Sequence, residues 1–484
     1  MGKYSVPKTI LQYERPKKTT VKNINGYYYV YESCSVKRED GKWHTQMGKE
    51  IGSIKEGIGF VPNKKLLCDD EITTLEFGEY AVVLANSQNT LAILKEFFNP
   101  ADALQIYIVS VIHYVNGFVY MTDIKKYFDD SYLSLKYPSL KLGYDAIASL
   151  YENLGKRQNH VLEMQEKLIS MCSGQIAIDG HVIGSCSQES DLVEPGYKFQ
   201  KLGEPQINLL MAYDVNTGMP LASRIYNGSN PDKLSVRDFV TEVELKNVLF
   251  IVDRGFYSTD NLNLFTSNGN SYIIPLASNL KACKKAIDDL SLKNRFLYQH
   301  GDKSTVVEYK DEIIDGNRVL TFRDVNEATY TQTEYMKCIA EGKSSYTEEG
   351  FEQHKDLWGV YVLQTSLNKE NRGAQEIFEL YKKRWAIETF YNYLKNKADF
   401  HTLYQQDPIK MQGLAFIMLV TGMVHNEFEA AVKKVNGKNS KECLFDAHVV
   451  RANFRHGVWG LNNCTKKYME LFKLLNTPME IQLT

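Results

Sequence analysis

The stretch NVLFIVDRGF, residues 247–256, decides how the second half of this chain is read. Val248 to Val252 are apolar without a break, and the run ends on a carboxylate, Asp253. A strand with one wet face alternates apolar and polar side chains, whereas an unbroken run fits a strand buried in a sheet. The run is too short for an ordinary helix, and its β-branched and aromatic residues favour a strand.

Upstream, QIAIDGHVI (175–183) reads as a second strand, with Asp179 near its end. INLLMAYD and PLASRIY read as a hairpin across the turn Asn216-Thr217-Gly218. Downstream, helices are expected at about 233–245 and at 261–267, then a strand at SYIIPL (271–276). Roughly 90 residues of mixed strands follow, namely STVVEYKDEII, NRVLTFRDV, TEYMKCIAEG and LWGVYVLQTS. A helix at 372–397 and an apolar helix at 411–431 come next. This order predicts an α/β, ribonuclease H-like core: a mixed sheet flanked by helices and interrupted by a β-rich insertion.

Ahead of the core, residues 1–70 read as strand-rich. GYYYVYESCSV (26–36) is followed by the turn residues Glu39-Asp40-Gly41, and Lys17, Lys18 and Lys22 form a basic lead-in. Residues 71–170 read as helical, from apolar steps of three and four that begin near residue 87. Lys136, Lys141, Lys156 and Arg157 make that module a candidate to lay a helix on DNA, although solvated lysines on a scaffold would look the same. The expected core then spans 171–276 and 369–430, with the insertion at 277–368 and a basic helical region at 431–484.

Composition narrows the function. The chain has 484 residues, 43% hydrophobic and 24% charged, so several globular domains are expected. A net charge of −2 excludes a global polycation, so any nucleic-acid surface must be local. The eight cysteines include no CxxC pair, so no zinc ribbon or thioredoxin motif is signalled. GLAFIMLVTGMV (413–424) is shorter than the roughly 20 residues a membrane span needs and reads as a buried helix. The chain is expected to be soluble and cytoplasmic, with no membrane partner.

The chemistry would come from carboxylates. Asp179 and Asp253 end apolar strands, where loops emerge and α/β sites lie. Clustered carboxylates repel one another and are tolerated when divalent cations neutralise them. Oxygen-only ligands suit Mg²⁺ or Mn²⁺ rather than zinc. LYKKRWAIETFYNYLK (380–395) supplies Glu388, one turn from Arg384. By itself this helix is equally a solvated face with an ordinary Arg–Glu pair, worth about 0.3–0.5 kcal/mol. Trp385 suits core packing or DNA. His181, two residues past Asp179, shares its face and reads as a structural residue.

VDRGF (252–256) together with Tyr381-x2-Arg384-x3-Glu388-x6-Lys395 resembles the DDE transposases of prokaryotic insertion sequences. More narrowly, the spacing is similar to the YREK signature of the insertion-sequence-four group. PGYKFQKLGEPQINLLMAYDVNTGMPLASRIYNGSNPD (195–232) also resembles that family. The resemblance implies a catalytic, metal-binding triad of Asp179, Asp253 and Glu388 that uses Mg²⁺ or Mn²⁺. It implies DNA contacts from Tyr381, Arg384, Lys395 and Arg254. Trp358 and Tyr361 are the candidates to stack on a flipped base, although core packing suits either ring. The implied partners are double-stranded DNA, as transposon ends and target, and a second copy of the chain in a synaptic homodimer. Two other readings stay open: a domesticated DNA-binding protein without catalysis, and a metal-dependent nuclease of the same fold.

Overall fold

The computed structural model describes residues 5–37, 42–63, 73–156, 158–187, 190–196, 203–243, 245–301, 303–384, 402–403, 405–433, 435, 438–455 and 458–481. Contacts divide the chain into two compact units, Met1–Asn153 with Val420–Thr484, and Leu154–Leu419.

The first unit opens with an antiparallel sheet of four strands in chain order: β1 (Thr19–Ile24), β2 (Tyr27–Lys37), β3 (Trp43–Lys55) and β4 (Gly59–Pro62). Its inner face carries Val30, Ile51, Ile54 and Phe60, packed with Ile10 and Val458. The turn residues Glu39-Asp40-Gly41 lie outside the described residues. A helical stretch follows. Its centre is Pro100–Asn116, in which every residue from Ile106 to Tyr114 is buried. Asn99 caps the helix by accepting from the N–H groups of Ala101 and Asp102, and proline sits in the first turn.

The C-terminal region is not purely helical. Helices Ser440–His448 and Lys466–Leu474 flank a hairpin, Arg451–Arg455 with Val458–Asn462. The hairpin's first strand pairs with β5 (Thr73–Glu76). That partner lies at the other end of the sequence, so a five-residue strand with no local alternation gave no signal of it.

The second unit is a mixed α/β sheet. Its strands are β6 (Gln175–Ser185), β7 (Glu194–Pro195), β8 (Pro205–Asp214), β9 (Pro220–Asn227), β10 (Leu249–Val252), β11 (Ser271–Pro275), β12 (Asn294–His300), β13 (Lys303–Ile314), β14 (Asn317–Asp324), β15 (Val360–Thr365) and β16 (Thr402–Leu403). The order is β12-β13-β14-β15-β11-β10-β6-β8-β7, with β9 beside β8 and β16 beside β6. β10 lies parallel to both β6 and β11, and all four of its residues are buried. Phe250 packs on Phe265 with ring centroids 4.8 Å apart. The unbroken apolar run thus marks the middle of the sheet.

β9 forms an edge, and side chains close it. Gln412 accepts from the Ile225 N–H (3.2 Å) and donates to the Ile225 carbonyl (2.8 Å). Gln165 accepts from the Ser223 N–H at 3.1 Å. Gln412 belongs to the helix Pro408–Val432, the one described helix long and apolar enough to cross a membrane. Its apolar window is 72% buried within the chain, which is the pattern of a core helix.

The expected insertion extends the same sheet, since β11 pairs with β15 and β14, β13 and β12 follow in turn. TEYMKCIAEG is not a strand, because residues up to Ala340 belong to the helix Val325–Ala340. The sequence is rich in Thr and Tyr, which suggested β structure. The cap at its start overrides that propensity: Asp324 accepts from the N–H groups of Asn326 and Glu327, both at 3.1 Å. Thr329, Thr331 and Thr333 each bond the carbonyl four residues back, so their hydroxyls are satisfied within the helix.

Asp324 is buried and also accepts from the Thr305 hydroxyl at 2.6 Å. Asp324→Ala is therefore expected to destabilise this unit by about 1–2 kcal/mol, read as an earlier urea unfolding midpoint followed by circular dichroism.

Candidate active site

The parallel register of β6 and β10 places the two aspartates. The last paired residues are Ile178 and Val252, and Asp179 and Asp253 come next on their strands. Side chains alternate along a strand, so both carboxylates project from the face of Ala177 and Ile251. Neighbouring strands lie about 4.8 Å apart, which puts the two acids side by side. β10 ends there, and β16 joins the same edge of β6 only at Gly184 and Ser185. Asp179 therefore stands at a fork, where β6 has lost one parallel neighbour and not yet gained the next.

Local packing holds each acid. The Gly180 N–H donates to Asp179 Oδ1 at 2.9 Å. A Cβ at residue 180 would lie 2.9 Å from Asp232 Oδ1, and Asp232 is itself held by Asn208 Nδ2 at 2.6 Å. On the next strand, Tyr213 is fully buried and its hydroxyl meets Met211 Sδ at 3.2 Å. Burial, and then the Asp179 charge, push the Tyr213 phenol well above its ordinary range, so it stays neutral beside the carboxylate.

After Asp253 the chain makes a single 3₁₀ turn, Arg254–Phe256. Phe256 is buried and anchors the turn, while Arg254 is left exposed. Asn261, fully buried, fixes this loop by donating to the carbonyls of Phe256 (2.8 Å) and Lys233 (2.9 Å) and accepting from Arg237 Nε (2.9 Å). Sequence reading did not single out Asn261. Its signal is the spacing Ser258-x-x-Asn261, because Ser258 caps the helix Thr259–Leu264 by accepting from the Asn261 N–H.

The helix Ala374–Lys383 packs Ile377, Phe378, Leu380 and Tyr381 inward. Phe378 meets Phe296, Tyr298, Phe322 and Tyr361 edge-on or tilted, at 5.1–6.3 Å. Tyr381 and Arg384 are each only 7% exposed, and the guanidinium lies 5.7 Å from the Tyr381 ring centroid. The part-buried neighbour Lys382 binds Tyr361 Oη (2.9 Å) and Glu327 (3.3 Å), with its ammonium 4.1 Å from the Tyr361 ring centroid. The Tyr361 hydroxyl also donates to Glu327. Trp358 packs against Tyr335 at 5.1 Å and Phe351 at 5.2 Å. Both candidate stacking rings are thus engaged in protein contacts. Glu388, Lys395 and Trp385 lie outside the described residues. Of the expected triad, the structure brings together Asp179 and Asp253. Among the described residues no group of three or more His, Cys, Asp or Glu could hold a metal ion.

The family described as Transposase DDE domain matches residues 171–421, just over half of the chain. The chain belongs to this family. The match contains both strand-end aspartates of this DDE-domain protein and the helix Ala374–Lys383. A relative, the transposase for insertion sequence element IS231C of Bacillus thuringiensis subsp. berliner, is 25% identical over 214 residues. That alignment spans 40% of this chain and 44% of the relative, less than half the length of either. Among solved structures, a cryo-EM piggyBac transposase synaptic complex with hairpin DNA aligns over 76% of this chain and 77% of that chain. It does so at 12% identity and a TM-score of 0.37.

The Tyr361 hydroxyl links β15 to Glu327 and Lys382 across this DDE domain. Tyr361→Phe keeps the ring and loses the link, so it should lower stability by about 1 kcal/mol, measured as a fall in the thermal unfolding midpoint.

Proposed function

We propose that this protein is the transposase of an insertion sequence, cutting and joining DNA with Asp179, Asp253 and Glu388 on a ribonuclease H-like core. The observation that carries the reading is the register that sets Asp179 and Asp253 next to each other at the ends of parallel strands. Family membership supports the same chemistry. The YREK spacing of Tyr381, Arg384, Glu388 and Lys395 supports placing it in the insertion-sequence-four group.

The donor set fits a hard divalent cation. Both aspartates offer oxygen atoms alone, both are part-exposed, and they are close enough to repel when empty of metal. Asp179 and Asp253, with Glu388 as third ligand, would hold Mg²⁺ or Mn²⁺. When bound, such an ion supplies charge neutralisation and an activated water or 3′-hydroxyl for phosphoryl transfer.

The chain's own residues then have distinct tasks. Asp179 Oδ1 is held by the Gly180 N–H, which fixes the carboxylate at the strand end. Arg254 stands exposed beside Asp253 and suits a phosphate oxygen, since a guanidinium matches that geometry. Tyr381 and Arg384 are buried and serve first to seat the helix Ala374–Lys383 and its C-terminal end. Lys395 would meet the flanking strand. Trp358 or Tyr361 would have to leave its present partners before stacking on a flipped base, which weighs against a ready-made hairpin device. The partners in this reading are the terminal inverted repeats, target DNA and a second protomer in the synaptic homodimer. The protein would act in the cytoplasm on the nucleoid.

Purified protein incubated with its element's terminal repeats and Mg²⁺ should give nicks at the 3′ ends and strand-transfer products, and EDTA should abolish both. Asp179→Asn and Asp253→Asn should each reduce cutting by about 10³-fold or more, on the scale of losing a metal-based phosphoryl-transfer centre, with DNA affinity retained in a gel shift. Wild-type cutting by either variant would refute the assignment. Hydrolysis without any joined product would make the protein a nuclease.

A further inference from the structure

The row Tyr27, Tyr29 and Tyr31 is not used by the chemistry above. Alternation along β2 sends Tyr28 and Val30 into the core of the four-stranded sheet and the three tyrosines to its other face. Tyr27 is 68% exposed, and Tyr29 and Tyr31 are half-buried. On the same face Lys22 of β1 pairs in register with Tyr29, and Thr20 with Tyr31. Lys55 of β3 stands one residue beyond the Tyr28–Ile54 pair, beside Tyr27. Lys17 and Lys18, both exposed, lead into β1. The acids nearby are Glu50, opposite Tyr31 and bonded to Asn63, and Glu56 in the turn after Lys55. Positive charge therefore prevails, most strongly at the Tyr27 end.

Alternate residues of a strand are about 6.6–6.8 Å apart. This is about twice the 3.4 Å per nucleotide of a strand in duplex DNA. A duplex also hides its base faces inside the stack, so it cannot offer successive bases to such a row. A drawn-out, unpaired strand can, and an aromatic row on a four-stranded sheet is a known way to stack two or three bases.

We propose that the outward face of β1–β4 is a platform for an unpaired DNA strand, its bases stacked on Tyr27, Tyr29 and Tyr31 and its phosphates met by Lys17, Lys18, Lys22 and Lys55. The choice of DNA rests on the transposase reading, in which DNA strands are the substrate. The site itself rests on the sheet.

The test is fluorescence anisotropy on the full chain with a labelled 12-nucleotide oligo-dT, a blunt duplex of the same length and an oligo-U of the same length. Tyr27→Ala with Tyr29→Ala should weaken oligo-dT binding by about tenfold or more and leave duplex binding and the thermal unfolding midpoint unchanged. Tyr29→Phe should retain binding, because stacking needs the ring alone. Lys22→Gln should lower the salt dependence by about 0.7 in the log–log slope. Unchanged oligo-dT binding by the double alanine variant overturns the proposal. Equal loss on duplex, or tighter binding of oligo-U than oligo-dT, overturns the unpaired DNA strand as occupant. Dimers in sedimentation that come apart on Tyr27→Ala would assign the face to a second copy. Asp179→Asn should bind oligo-dT like wild type, so this assay stands or falls apart from the cleavage assay.

Discussion

Everything at the candidate site depends on the pairing of β10 with β6. Four residues of each strand run side by side, and the pairing stops one residue short of the acids. A slip of one residue would turn every side chain of β10 to the opposite face, sending Asp253 away from Asp179 and part of the apolar run with it. The register is protected by burial: Leu249 to Val252 have no exposed position to offer, and Phe250 is held by Phe265. Packing at the centre of the sheet is thus what keeps two repelling carboxylates together.

The legible parts of the sequence were those with strong local pattern. The strands carrying Asp179 and Asp253, the hairpin of β8 and β9, and the helix Pro100–Asn116 all follow from periodicity or turn residues within a dozen residues. What was not legible depended on partners far along the chain. The strand Arg451–Arg455 exists because β5 is there to receive it, and the helix Val325–Ala340 exists because Asp324 caps a Thr-rich stretch that alone favours β structure. For the candidate site, the strand-end positions of Asp179 and Asp253 could be read from sequence. The burial of Tyr381 and Arg384 could not, because the aromatic cluster that covers this part of the helix comes from the insertion, on β12 to β15.

That cluster changes the meaning of the insertion. Read from sequence, it is a separate block set between two halves of a core. In the structure its strands extend the central sheet through β15, and its rings seat the helix Ala374–Lys383. A substitution at Phe296 or Phe322 would therefore disturb the seat of the helix Ala374–Lys383 without touching a charged residue, because close-packed aromatic layers transmit displacement.

The amide of Gln412 stands where the backbone of a further strand would be, giving and taking one hydrogen bond at Ile225. Together with Gln165 it seals one rim of the sheet. The opposite rim, β12, is mostly exposed along its length. Such a sheet has a direction of growth: templated addition of a foreign strand can begin at the open β12 edge. Arg295 on that strand and Lys303 beside it carry the kind of charge that discourages it.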